Sequence, residues 1–318
     1  MMIRNWFFIA LVALVLIPTE VQAAEWQEAV TVYGAALEDD PQLLEDTEGI
    51  LGTKKEDKIT FVNSEDVAKY IGKDYDDAVL KSSIRIIQRE DGYGLDITVD
   101  ETMGKITQIT EETYKNALLT SGITDAEVTI GAAQDVTGES ALSGIYKAFE
   151  AQGQEIDTDR TRNSQDELEA ISDISKENAQ KEGFSQEQLN KAITDIKIEI
   201  INQGGNLTEA DIRRIVEEQL NENGLDGIVT GDQINRLVNI LIQIQNTNIF
   251  TDEEAERLKD SAQNLIDEIR SSDAFKQAAD KAEEIGQDIQ DSDAWSTFKR
   301  AVSDFFSSII SFFKTLFN

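Results

Sequence analysis

The sequence predicts an α+β (or α/β) N-terminal domain with a small mixed sheet, then an all-α helical-hairpin domain and a terminal amphipathic helix. Three observations carry that reading. Strand-like alternation is confined to the first half of the chain, where it interleaves with short capped helices. After Gly153 the strand signals largely disappear and one helix-start signal keeps returning. From Trp295 the composition changes again, toward Phe on one side and Ser on the other.

Taken in order, Arg4 supplies a short positive region, Phe7 to Ile17 is an unbroken apolar run, and Val21-Gln-Ala offers small residues at a cleavage site. These are the parts of a secretory signal peptide, residues 1–23, with the mature chain starting at Ala24. The apolar run is about half the roughly 20 residues of a membrane-spanning helix, although retention as an anchor is the alternative.

An α/β domain is expected over residues 24–156. Asp57 to Asn63 alternates as a half-buried strand, and Ser64 is read as the cap of a short helix ending before Gly72. Pro41 reads as part of an acidic turn, Glu38-Asp-Asp-Pro. Ser82 to Gln88 and Gly94 to Val99 are further strands joined by a turn-rich link. Thr110 caps a helix that Gly122 stops, Ala126 to Ile130 is a strand, and a second helix ends near Ala151. Residues 157–182 read as a linker or helix. Over 183–290 a helical domain is expected, because Ser185, Thr208, Thr230 and Thr251 each precede a polar acceptor three residues on. These starts recur every 21–23 residues, one helix plus one turn. Leu258 to Ile289 continues as a helix pair broken at Ser271-Ser-Asp.

Composition narrows the chemistry. The chain has 318 residues, no Cys and no His, which excludes Cys–His and Ser–His–Asp nucleophiles and zinc sites built on thiolate or imidazole. Its net charge of −33 opposes nucleic acid as a partner. Carboxylate, Lys, Tyr, Ser and Thr chemistry remains, together with hard cations held by oxygen; no cofactor is implied, with calcium as the alternative.

The sharpest functional signal is the terminal stretch, 291–318. Trp295, Phe298, Val302, Phe305, Phe306, Ile309, Ile310, Phe312, Phe313, Leu316 and Phe317 fall on one face of a helix at about 100° per residue. The other face is Ser-rich, and Lys299, Arg300 and Lys314 outnumber Asp304. This pattern describes a helix lying in a membrane interface or against an envelope protein, with docking on the rest of the chain as the alternative. Other candidates are weaker. Asn221 to Asp232 invites comparison with a calcium loop, but Gln233 stands where a bidentate Glu is needed. Thr137, Gly138 and Ser140 open a helix whose free N–H groups could meet an anion, though Glu139 opposes one. Asp39/Asp40, Asp76/Asp77 and Glu111/Glu112 are carboxylate pairs too common in this composition to signal acid–base catalysis.

Three segments then carry a resemblance: Ala29 to Leu37, Ile109 to Ala126, and Val136 to Glu150. With them the chain resembles a secreted Gram-positive family known only as a domain of unknown function, family 1002. The resemblance implies export, and it brings no reaction, cofactor or catalytic residue. The function expected is thus a secreted, envelope-associated binding module held by its terminal helix, extracellular or at the cell surface. An extracellular carboxylate-based hydrolase acting on envelope polymer and a calcium-dependent binding module are the alternatives.

Overall fold

A computed structural model describes residues 26–276 apart from 252, 253 and 274. The segments read as a signal peptide and as a terminal amphipathic helix therefore lie outside the described residues. The chain opens with β1 (Val30–Gly34), α1 (Pro41–Leu51) and β2 (Lys58–Val62), then α2 (Ser64–Ile71) and β3 (Ser83–Gln88). It continues through β4 (Leu95–Asp100), α3 (Glu111–Ser121), β5 (Ala126–Gly131) and α4 (Glu139–Ala151). The strands form one sheet in the order β2-β1-β3-β5-β4. β1 and β2 are parallel, as are β4 and β5, and β3 runs against both of its neighbours. The mixed sheet follows from that wiring: each parallel pair needs a crossover helix, and β3 joins the two units.

Alternation along the strands decides which helices cover which face. Val30, Val32, Ile84, Ile86, Ile97, Val128 and Ile130 line the core face, each almost fully buried. Burial of each such side chain contributes about 1.5–3 kcal/mol relative to leaving it exposed. Helix α4 lies close over this face because Gly144 has no side chain: a Cβ there would meet Ile84 at 3.3 Å and Val32 at 3.5 Å. On the opposite face Tyr33, Leu37 and Leu51 pack with Leu43, Leu44 and Phe61 beneath α1.

A polar group is buried on that same second face. Asp57, whose side chain is 1% exposed, accepts from Arg85 Nε at 2.7 Å and Arg85 NH2 at 3.1 Å, from Thr31 Oγ1 at 3.1 Å and from the Lys54 N–H at 2.9 Å. Burial alone would raise this carboxyl, but the bonds from Arg85 and Lys54, the Arg85 charge and Thr31 outweigh it and hold it below the usual 3.8. A carboxyl lowered in the folded state gives stability above its unfolded value that is lost as pH falls through the lowered one. Asp57→Ala is expected to cost roughly 2–3 kcal/mol at neutral pH. The difference from the parent chain should shrink below about pH 4, read by urea unfolding across pH.

The rest is helical: α5 (Thr158–Asn178), α6 (Gln186–Asn202), α7 (Glu209–Glu222), α8 (Gly231–Gln245) and α9 (Ala255–Ser271). Their apolar stripes build a second core from Ile171, Ile193, Ile196, Ile212, Val216, Leu237, Val238, Leu241, Leu258, Leu265 and neighbours. Helix α3 lies between the two cores and is buried on every side from Thr113 to Thr120. It touches β4 as well as α5, α6 and α9.

The caps explain most of the boundaries. Thr110 accepts from the Thr113 N–H, and Gly122 closes α3 at φ +86°. Thr208 with Asp211 and Thr230 with Gln233 form complete capping boxes, while Ser185 accepts from the Gln188 N–H. Four local expectations change. Asn63, not Ser64, caps α2, because Asn63 is extended and exchanges bonds with Asp66 in a capping box. Pro41 does not sit in a turn but starts α1, with Asp40 as the cap, since the first helical position needs no N–H. Val30 to Gly34, read only as a family segment, is the strand β1. Thr251 does not cap a helix: its hydroxyl donates to the Asn248 carbonyl at 3.2 Å, and α9 starts at Ala255.

Candidate functional site

The four parallel strands all point their carboxyl ends to one edge of the sheet, where ligands of open α/β sheets usually bind. That edge is filled by the protein's own groups. At the start of α4, the Ala141 N–H donates to Ser82 Oγ at 3.0 Å, and Ser82 Oγ lies 2.5 Å from Ser140 Oγ. Tyr114 donates to the Gly138 carbonyl at 2.8 Å, and Thr137 bonds Glu139. Thus Thr137, Gly138 and Ser140, the residues considered for an anion, are engaged internally. The Tyr114 hydroxyl is pushed far up by burial, with Glu139 adding to the effect, so it stays a donor.

The carboxylate pairs have local work as well. Asp40 caps α1, Asp76 accepts from the Ala78 N–H, and Asp77 accepts from the Ser64 N–H at 2.6 Å. Glu111 accepts from the Val99 N–H at 2.7 Å, and its carboxyl is raised, chiefly by burial. In the turn before α8, Asn223 bridges inward, donating to Asp195 at 3.0 Å and accepting from Lys191 at 3.0 Å. Among the described residues no group of three or more acidic side chains is placed to hold a metal ion.

A sizeable concavity lies at the opposite end of the sheet. A cleft of about 920 Å³ opens beyond the carboxyl ends of α3 and α4, roofed by the first turns of α5 and α9. Its apolar floor includes Ile123, Tyr146, Phe149 and Ile156; its charged rim is Asp91, Asp125, Glu155, Asp157, Glu254, Arg160 and Arg257. Sequence distance hides this assembly, since the rim draws on residues 91 to 257 and no local motif links them. Four of its five carboxylates have structural partners. Asp125 accepts from the Gly92 and Gly94 N–H groups at 2.9 Å each and from Thr124. Asp157 caps α5, Asp91 pairs with Arg257 at 3.3 Å, and Glu254 pairs with Arg160. The Tyr146 hydroxyl is raised by burial despite its bond to Ser164.

A buried polar junction joins α3, α5 and α6. Lys197 Nζ donates to Glu167 Oε1 at 2.6 Å and to the Asn116 carbonyl at 2.7 Å, and Thr120 donates to Glu167 Oε2 at 2.5 Å. Asn116 also donates to the Asn190 carbonyl at 3.1 Å, and Thr194 donates to Asn116 Oδ1 at 3.1 Å. The Lys197 side chain is 0% exposed and that of Glu167 3%, so neither charge meets solvent. A signal for this was present: Lys197 falls in the apolar stripe of Ile193, Ile196 and Ile200, where a charge must be paired. The eleven terminal-helix residues, Trp295 to Phe317, lie outside the described residues.

With this geometry in view, residues 33–265 match the family model described as "Protein of unknown function (DUF1002)". The chain belongs to this family. The "Uncharacterized protein YpuA" of Bacillus subtilis (strain 168) is 30% identical over 225 residues, covering 69% of this chain and 72% of that protein. No solved structure matches the chain. The matched stretch runs from β1 into α9 and so contains both the cleft and the buried junction. The aromatic terminal stretch, 291–318, lies beyond it.

Proposed function

We propose that this chain is an exported protein that acts by binding at the cell envelope, held at a membrane surface by its terminal amphipathic helix. One observation carries the proposal. Eleven large apolar side chains share one face of the terminal sequence. By contrast, the exposed large apolar side chains of the described body are Ile59, Val79, Tyr93 and Met103. Those four are spread over different elements: Ile59 is on the edge strand β2, Tyr93 and Met103 flank the opposite edge strand β4, and Val79 precedes β3. An apolar face of that width needs cover, and a bilayer interface supplies it.

The rim of the cleft supports binding over hydrolysis. Carboxylate-based glycoside hydrolysis needs two carboxyl groups free to face a substrate about 5–10 Å apart. Here Asp91, Asp125, Asp157 and Glu254 already hold loops and helix ends.

Export and attachment are separable in cells. A Gram-positive host secreting the full chain should release a mature N-terminus at Ala24 and keep the protein with the cells. Deleting 295–318 should move it to the medium. Unchanged partition after the deletion would contradict attachment through the helix, whereas an intact Met1 on the cell-bound protein would contradict cleavage.

A further inference from the structure

The two edges of the sheet are treated differently. On β4 the outward N–H of Val99 is taken by Glu111 at 2.7 Å, and Asp96 and Asp100 add charge along the same strand. On β2 the phase of the ladder is set by the Lys58 N–H, which donates to the Ala29 carbonyl at 2.9 Å. With period two, Lys58 and Thr60 turn their backbone groups toward β1, and Ile59 and Phe61 turn theirs outward. Among the described residues nothing bonds those outward N–H and C=O groups. Ile59 is 50% exposed, so the edge is open to a neighbour as well as unpaired.

Charge specifies the neighbour. Lys54, Lys55 and Lys58 stand at the start of this edge. Lys54 and Lys55 are exposed and make no ion pair among the described residues, and Lys58 Nζ reaches the Ala151 carbonyl. Of the two acids beside them, Glu56 is exposed, while Asp57 is consumed by Arg85. In a chain of net charge −33, Lys54, Lys55 and Lys58 thus gather positive charge at the start of the β2 edge. Lysines at an edge also discourage uncontrolled pairing, which selects against neutral strands and leaves an acidic one favoured.

We propose that β2 is a docking edge for an extended acidic segment of a partner polypeptide, which adds as a sixth strand. Its backbone would pair with Ile59 and Phe61, and its carboxylates would meet Lys54 and Lys55. Main-chain bonds of this kind give affinity, and flanking side chains give selectivity. With two outward residues the complex is weak and transient.

The test uses the mature full chain, a capped peptide of alternating Glu and Val as the probe, and its Lys/Val counterpart as the control. At about millimolar peptide, the weak end of the affinity scale, the Ile59 and Phe61 amide resonances should shift with the acidic peptide. Their hydrogen exchange should slow by about twofold when the peptide is at its dissociation constant, and further in proportion as the peptide is raised. The basic peptide should leave both unchanged. Ile59→Pro removes one outward N–H without touching the β1 ladder, so it should keep its unfolding midpoint and lose the response. Absence of a response, an equal response to the basic peptide, or an undiminished response in folded Ile59→Pro would overturn the proposal. So would protection of these amides that grows with protein concentration and no peptide, which would assign the edge to a second copy.

Discussion

Replacing Lys197 with Ala is expected to destabilise the protein by about 3–5 kcal/mol, because removing one partner of a buried pair strands the other charge. The Glu167 carboxylate would keep only Thr120, with its other oxygen facing the gap left by the ammonium. The Asn116 carbonyl would lose the side-chain donor it has in addition to its place in the α3 ladder. Replacing both charges with apolar groups of similar size, Lys197→Met with Glu167→Leu, should recover most of the loss, since the desolvation cost disappears with the pair. Urea unfolding measures both, and a loss below about 1 kcal/mol for Lys197→Ala would show that the junction is not a coupled unit. The pH dependence gives a second readout. Burial pushes the Lys197 ammonium below 10.5, against the opposing pull of Glu167. The unfolded chain therefore binds this proton more readily, so the contribution to stability rises with pH in the window just below 10.5. That rise should be missing from Lys197→Met when the two curves are subtracted.

Gly138→Ala is the second large effect expected, about 3–4 kcal/mol from backbone strain and overpacking together. Gly138 sits at φ +113°, where a side chain is disfavoured. A Cβ would also lie 2.4 Å from the Tyr114 hydroxyl and 2.8 Å from Ile106. The bond from Tyr114 to the Gly138 carbonyl would have to break or shift. A thermal midpoint within a few degrees of the parent would contradict this, since about 1 kcal/mol already moves a domain of this size by roughly 2–4 °C.

Much of the fold was legible because local rules and tertiary packing agree. Thr110, Gly122, Thr208 and Thr230 are caps whose residue type, spacing and geometry point the same way. Strands β3, β4 and β5 were readable from alternation because one sheet face is buried more deeply than the other, whereas β2 alternates in residue type but not in burial. β1 was harder to see: all five of its residues are buried, so period two is hidden from a reader of polarity. Helix α1 was masked by Pro41, which reads as a breaker until Asp40 is known to cap it.

The candidate sites divide along the same physical line. Internal roles at Gly138 and Ser140 depend on Tyr114 and Ser82, which reach them from α3 and from the approach to β3. The cleft depends on Arg257 meeting Asp91 and Arg160 meeting Glu254, pairs that no sequence spacing announces. Lys197 was detectable in principle, since a lysine on an isoleucine stripe asks for a partner, although Glu167 could not be named without the fold.

Co-sedimentation with vesicles tests the central claim most directly. Purified 24–318 and 24–294 are compared on vesicles of phosphatidylcholine with phosphatidylglycerol. The longer protein should partition to the pellet at least about tenfold more strongly, given the wide apolar face that the deletion removes. Phe305→Ser, Phe306→Ser, Phe312→Ser and Phe313→Ser combined in the full mature chain should behave like the deletion. Equal partition of 24–318 and 24–294 would contradict membrane attachment by the terminal helix.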